Sequence, residues 1–398
     1  MSVLLDVRAK GRKRTSHVHS SDLPIRDAFD QEHRWVDGDP PPNNPQYNHG
    51  RVIELGEQAS LQQFLYQFID STLQSTSKAQ ILNVHNLGSE DIDIMGDRDS
   101  LTSRVMPFMK LSDGSPSSLT APPPPMAPNS YLMADGRAVA RFAVEGNVVI
   151  TGGAGTLGIS AARALLEHGA TGCCLWDLES TLRSSQAEML SLAKDFPKSR
   201  VFGVSVDVTD AAAVAEAVES VVSTLGSIEH LFCFAGIVGV VSAMDMSDTQ
   251  WRKTLDVNAT GAFFCAQAAA KQMSKLGKGG CSITLTASIS AHRVNYPQPQ
   301  VAYNVSKAAI VSLKSSLAAE WAVHGIRVNS ISPGYMDTIL NAGDGSIKEA
   351  RDVWASRNPM GRMGAVGELD GMCVLLASRA GSYINGADMV IDGGAVVF

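Results

Sequence analysis

Very little in these 398 residues points to a metal, a membrane or a nucleic acid. Cysteine is sparse: Cys173, Cys174, Cys233, Cys265, Cys281 and Cys373 are all there is, and no two form a Cys-x-x-Cys pair. Most sit in apolar runs that read as strands or buried helix faces. They are expected to be reduced core residues of a cytoplasmic protein, which excludes a disulfide framework. The histidines show no ligand spacing, so no metal site is expected. No apolar run approaches the roughly 20 residues that a membrane-spanning helix needs. The net charge of −7 offers no footprint for nucleic acid and leaves a small molecule as the expected partner. Between Met1 and Arg14 there are basic residues but no apolar stretch beside them, so no secretory leader is expected; a solvated tail and a targeting address both stay open.

What is present divides near residue 140. Before it come proline-broken stretches, Pro40-Pro41-Pro42-Asn43-Asn44-Pro45 and Ala121-Pro122-Pro123-Pro124-Pro125, with a serine-rich piece from Ser112 to Ser118. Proline removes a backbone donor and fixes φ, so residues 1–140 read as an N-terminal extension, largely linker-like or disordered. One amphipathic helix is expected over 61–72, where Leu61, Phe64, Leu65, Phe68 and Ile69 share a face.

From 141 to 398 the pattern is regular. Strands are expected at Asn147–Thr151, Thr171–Trp176, Val201–Asp207, His230–Ala235, Cys281–Ala287, Ile326–Ile331 and Met389–Ile391. Helical patterns fall between them, among others Leu157–His168, Ala211–Leu225, Trp251–Met273 and Tyr303–His324. Alternation of near-continuous apolar strands with helices predicts an α/β domain, a doubly wound parallel sheet of the Rossmann type with helices on both faces.

The first strand runs into Gly152, Gly153, Ala154, Gly155, Thr156, Leu157 and Gly158, which open a helix. Glycines allow a tight turn and close approach of a pyrophosphate, and the helix N-terminus offers unpaired N–H groups to it. Asp177 ends the second strand, where a carboxylate accepts the ribose hydroxyls of NAD and repels the 2′-phosphate of NADP. NAD is therefore the expected cofactor; Arg183 nearby keeps NADP possible, and a plain helix-capping role for Asp177 stays open.

Tyr303-Asn304-Val305-Ser306-Lys307 opens the helix after the fifth strand, with Ser288 upstream and Asn258 on the preceding helix. Interconverting an alcohol and a ketone needs a proton moved as hydride moves, and a tyrosine of ordinary pKa about 10 needs help to do this near neutrality. Lys307, one helical turn on, brings a cation to the same face. Together these residues resemble the short-chain dehydrogenase/reductase family over about 250 residues. The resemblance implies that Lys307 also binds the nicotinamide ribose, that Ser288 hydrogen-bonds the substrate oxygen, and that Asn258 holds a water for proton relay. Ser290 is a second candidate for the serine. The resemblance further implies adenine contact at Asp207 and Val208, and cofactor contact at Ala235 and Gly236. It also implies nicotinamide contact along Pro333, Gly334, Met336 and Thr338. It implies homodimers or homotetramers paired through the faces of Gly261–Ala270 and Ala308–Ala319.

Two positions depart from the family. Cys233-Phe234-Ala235-Gly236 replaces the usual Asn-Asn-Ala-Gly, which is expected to loosen that strand's hydrogen bonding. Thr156 stands where the shorter branch has a glycine, so the turn reads like that of the longer epimerase and dehydratase branch. Only 308–398 follow the lysine, too little for that branch's extra domain. Stretches such as Ala287–His292 and Asn329–Tyr335 resemble the fungal polyol and ketose dehydrogenases, while apolar Ile237–Val241 suits a ketone on a larger apolar scaffold. A catalytically silent binding module is the alternative from another class.

Overall fold

Seven strands form one parallel sheet in the order β3-β2-β1-β4-β5-β6-β7. The computed structural model describes residues 107–124, 134–338 and 345–397, all within a compact unit spanning Ser103–Phe398. The expected helix over 61–72 lies outside the described residues. In chain order the elements are α1 (Ala134–Arg141), β1 (Asn147–Thr151), α2 (Thr156–Glu167), β2 (Gly172–Asp177), α3 (Glu179–Ser184) and α4 (Gln186–Asp195). Then follow β3 (Arg200–Ser205), α5 (Ala211–Leu225), β4 (His230–Cys233), α6 (Asp248–Leu255), a π-helical turn (Asp256–Thr260), α7 (Gly261–Leu276) and β5 (Cys281–Thr286). The last are α8 (Val301–Trp321), β6 (Ile326–Pro333), α9 (Ser346–Ser356), α10 (Asp370–Ala377) and β7 (Asp388–Ile391).

The sheet buries both faces, which is why its strands read as continuous apolar runs. On one face Val214, Val218 and Val221 of α5, Cys265, Ala266 and Met273 of α7, and Ile310 and Leu317 of α8 pack into one core. On the other, Ala161, Ala162 and Leu165 of α2 meet Cys373, Val374 and Ala377 of α10. The chain runs outward from β1 to β3, then returns to place β4 beside β1, so the winding reverses between β1 and β4. The carboxyl ends of the strands at such a reversal open a crevice, the usual ligand position of this architecture. All six cysteines are free and buried, and burial alone pushes the Cys173 thiol up to about 12.

Three expectations differ in detail. β3 ends at Ser205: the Val206 N–H makes the last ladder bond, to the Asp177 carbonyl (2.9 Å), and Asp207 then bonds its own loop through Thr209. The long helix expected over Trp251–Met273 is broken by the π turn into α6 and α7. The strand after which the family's two asparagines are missing is not loose. Phe234 N–H donates to the Thr151 carbonyl (2.9 Å), Ala235 N–H to Thr151 Oγ1 (3.3 Å), and Phe234 stacks on Phe232.

Residues 115–124 rest on the amino ends of β5 and β6. A Cβ on Gly279 would come within 2.3 Å of the Leu119 carbonyl oxygen, and Leu119 also covers Gly325. Arg379 donates to the carbonyls of Pro123 and Pro124.

Candidate active site

The turn after β1 is shaped by contacts that only some positions need as glycine. A Cβ on Gly152 would lie 2.7 Å from Ala235 N, and one on Gly158 would lie 2.5 Å from the Gly152 carbonyl oxygen. Thr156, by contrast, is exposed at the start of α2, so a side chain is accommodated there. That is the physical reason the glycine spacing departs at 156 without changing the turn. Gly153 and Ala154 are buried, while Gly155 and Leu157 are half-buried around the same bend. The N-terminus of α2 has no side-chain cap and no acidic residue in its first turn. A helix end with uncapped N–H groups and no competing carboxylate fits a cofactor pyrophosphate.

Asp177 stands across this turn. Its carboxylate accepts from Ala154 N–H (3.2 Å) and Leu178 N–H (2.9 Å), which fixes a negative charge at the carboxyl end of β2. Asp207, by contrast, is occupied by the Thr209 N–H and hydroxyl, which hold its carboxyl below the usual range. Val208 packs against Gly261 at the base of α7.

The proton-handling groups converge from three elements. Ser288 follows β5, and its hydroxyl accepts from Ser290 N–H (3.1 Å) and donates to Ser290 Oγ (3.1 Å). Tyr303, in the first turn of α8, is half-buried. Burial pushes its phenol above the ordinary value, a hydrogen bond with Ser288 pulls the other way, and the neighbouring phenol of Tyr335 adds to the rise. Ser288 thus meets Tyr303, while Ser290 lies buried behind it. Lys307 is buried; its Nζ donates to the Thr286 carbonyl (2.7 Å) and lies 5.5 Å from the Tyr303 ring centre. Burial, weakly opposed by Cys233, brings its ammonium down to about 8. For Tyr303, burial outweighs the Ser288 bond and the sign is upward.

Asn258 sits in the π turn, a local widening that occurs often at functional positions. Its amide nitrogen donates to the Ile237 carbonyl (2.9 Å) and Ser306 Oγ (3.0 Å), and its oxygen accepts from Ile237 N–H (2.8 Å). Ser306 in turn donates to the Tyr303 carbonyl (2.7 Å). The amide thus ties the loop after β4 to the first turn of α8, a positioning task beyond the water-holding role the sequence suggested. Gly236 lies against it: a Cβ there would be 3.3 Å from Asn258 Oδ1 and 3.7 Å from Lys307 Nζ.

At the end of β6, Pro333 is buried, and the next residue, Gly334, lies against Asp392, with its N–H donating to the Ile391 carbonyl (2.9 Å). Met336 bridges to Gly364, and Thr338 N–H closes on the Met336 carbonyl (2.9 Å). Tyr335 stacks flat on Trp354 of α9, with ring centres 4.2 Å apart. Sequence reading gave no role to Ser306, Asn295, Gln298 or Trp354. Ser306 stood inside the quoted motif without a visible task, and Trp354 lies on a helix the patterning did not show. A cleft of about 490 Å³ between Leu166 and Ser199 is at the far end of the strands from Tyr303 and holds none of these groups. No metal-binding cluster occurs among the described residues, and no helix among them is long and apolar enough to cross a membrane.

A doubly wound sheet with a glycine turn, a buried lysine and a tyrosine one helical turn away defines a nicotinamide-dependent oxidoreductase. The chain belongs to the short-chain dehydrogenase/reductase family: a family profile described as enoyl-(acyl carrier protein) reductase matches residues 152–396. It is 40% identical over 261 residues to an NADP-dependent mannitol dehydrogenase of Hypocrea jecorina, covering 64% of this chain and 93% of that protein. It is 35% identical over 256 residues to a sorbose reductase of Schizosaccharomyces pombe, covering 64% and 97%. The crystal structure of an NADPH-dependent 3-quinuclidinone reductase from Rhodotorula rubra aligns with a TM-score of 0.60 at 34% identity, over 69% of this chain and 97% of that one. The protein is thus an NAD(P)-dependent enzyme acting on alcohols and ketones.

Proposed function

We propose that the protein interconverts a ketose and its polyol, with Tyr303 as the proton donor and acceptor. The observation that carries this is the convergence of Ser288, Tyr303 and buried Lys307 at the carboxyl end of β5. When bound, the dinucleotide gives or takes the hydride. In reduction Tyr303 donates its proton to the substrate oxygen, Ser288 holds that oxygen, and Lys307 stands ready to return a proton to the phenol. The related mannitol dehydrogenase and sorbose reductase support the substrate class.

One observation favours a second reading, a ketone on an apolar scaffold. Val238, Val240 and Met244 after β4 and Val294 after β5 are exposed.

For the cofactor, the fixed carboxylate of Asp177 supports NAD, while the related mannitol dehydrogenase is NADP-dependent by name. A carboxylate at the ribose repels a 2′-phosphate, and we place NAD first on that ground. Copies are proposed to pair through α7 and α8, where Phe263 and Phe264 are only half-buried; elution at monomer size would overturn this. The six free, buried cysteines support a cytoplasmic site.

The test is titration with NADH and NADPH by fluorescence, then assay of ketoses and bulkier ketones. NADH binding with turnover of a ketose supports the proposal. Turnover of bulky ketones alone favours the second reading, and tighter NADPH binding overturns the assignment to Asp177.

A further inference from the structure

Trp354 is the starting point, because an indole N–H can only donate. It donates to Gln298 Oε1 (3.1 Å), and this fixes which way the Gln298 amide faces. The amide nitrogen must then point the other way, and it does: it donates to the Tyr335 hydroxyl (3.0 Å) and to Gln300 Oε1 (2.9 Å). The Asn295 amide reaches the same hydroxyl (2.8 Å). With two amides donating to it, the Tyr335 oxygen is filled as an acceptor, and its own proton is left for a third partner.

Asn295 leaves a matching vacancy in hydrogen bonding. Its Oδ1 is buried and has no partner among the described residues. A buried polar atom without a partner is uncommon and calls for an explanation. Turning the amide over would hand Tyr335 an acceptor, yet it would strand the nitrogen in place of the oxygen. A ligand hydroxyl, which both donates and accepts, satisfies either arrangement.

The cluster is anchored beside the reacting groups. Gln300 is the residue before α8, and its carbonyl accepts from Asn304 N–H (2.9 Å), one residue past Tyr303. The Tyr335 phenol is close enough to Tyr303 to influence its acidity. The Tyr335–Trp354 stack joins the loop after β6 to α9, so three separate segments hold one hydroxyl in place.

We propose that Tyr335 and Asn295, positioned by Gln298 and Trp354, form a subsite that reads a hydroxyl on a carbon next to the reacting carbonyl. This rests on the proposed ketose–polyol activity and assigns its selectivity to named residues: they favour a hydroxyketone or vicinal diol over a plain ketone. A site built around a substrate hydroxyl discriminates against its absence, because the site's own polar groups are then left unpaired.

The test compares D-fructose with its 1-deoxy and 3-deoxy forms in the wild type, Tyr335→Phe and Asn295→Ala, with cofactor fluorescence as the check on folding. In the wild type, kcat/KM for fructose should exceed that for at least one deoxy form by about tenfold or more. Tyr335→Phe should bring that ratio to within about twofold, and Asn295→Ala should lower it as well. Trp354→Phe keeps a ring to stack but loses the N–H; it should raise KM for fructose more than it lowers kcat. A wild-type ratio near one, or a ratio that survives in Tyr335→Phe, overturns the subsite while the ketone-reducing activity stands. An equal fall on all three sugars makes Tyr335 merely structural and also overturns it. Absence of any Tyr303-dependent turnover of sugars or other ketones removes the underlying activity, and the subsite with it.

Discussion

Both ends of the sheet carry buried polar groups, but the charged and amide side chains are treated differently at the two ends. At the amino ends the charged and amide side chains are closed, although His230 Nδ1 and Ser282 Oγ are buried there without a partner. Glu229 accepts from Asn147 N–H (2.7 Å) and pairs with Lys278 (2.8 Å), while the Asn147 amide donates to the carbonyls of Leu225 and Ser227 and its oxygen accepts from Thr171. Arg327 donates to the carbonyls of Ile384 and Leu376. At the carboxyl ends, the uncapped start of α2, the displaced acidities of Tyr303 and Lys307, and the orphaned oxygen of Asn295 remain open. A closed network specifies the fold; an open one waits for a ligand. Burial alone would not tell the two apart.

The sharpest way to break this comparison is a matched pair of variants. Tyr303→Phe removes one hydroxyl at the open end and should lower kcat by about 10³-fold, the scale of general acid–base catalysis, with the urea midpoint unchanged. Glu229→Ala should do the reverse. Burial pushes the Glu229 carboxyl up, but bonds from Lys278, Ser227 and Asn147 N–H outweigh this and hold it low. Its loss leaves the Asn147 N–H unmatched while the half-exposed Lys278 ammonium stays hydrated, and should cost about 1–3 kcal/mol in urea unfolding, with kcat of the remaining folded protein intact. If Glu229→Ala impaired kcat at unchanged stability, the division between the ends would fail.

A smaller effect separates the ends by pH. The Lys307 ammonium titrates at about 8 in the fold against 10.5 for an ordinary lysine. Between those values the unfolded chain holds this proton and the native one loses it, so the Lys307 contribution to stability rises with pH across that window. Below about 8 both states are protonated and the native charge is held at a cost. Lys307→Met should lack this contribution, read as a gap in urea midpoint between wild type and variant that changes in the wild type's favour from pH 8 to 10. The gap rides on a fall both share, as the six buried thiols, held protonated in the fold, ionise in the unfolded chain. A gap that instead moves in the variant's favour across this window would mean the ammonium is stabilised, not strained, by its site.

How far the sequence already told this story depended on distance along the chain. The turn from Gly152 to Gly158 is contiguous, and Tyr303 and Lys307 lie one helical turn apart, so local spacing was enough to expose them. The parallel sheet followed from strand–helix alternation for the same reason. The partnership of Trp354 with Gln298 spans 56 residues, and that of Glu229 with Asn147 spans 82; no local pattern encodes either. The π turn left no trace, because Trp251 to Met273 keeps a helical apolar stripe through it. The glycine spacing misled in one respect: it could not show that position 156 faces outward while 158 is walled in by Gly152 and Gly153.

Ser288 and Ser290 offer the finest cut, because the sequence left both open and the structure gives them opposite effects on one group. Ser288 has a single proton and two claimants for it, Ser290 Oγ at 3.1 Å and the Tyr303 oxygen. A hydrogen bond donated to a phenolate favours the ionised form. Ser288→Ala withdraws that bond, so the Tyr303 acidity should rise further. Alcohol oxidation needs the ionised phenol, so its pH profile should move to higher pH, with kcat/KM down about tenfold or more at neutrality. Ser290→Ala removes the competing acceptor and leaves the Ser288 proton to Tyr303 alone. The profile should then move slightly to lower pH, with a loss of no more than about threefold. Shifts in the same direction for both variants would mean that the serines act as one unit, and that their order along the chain carries no chemical distinction.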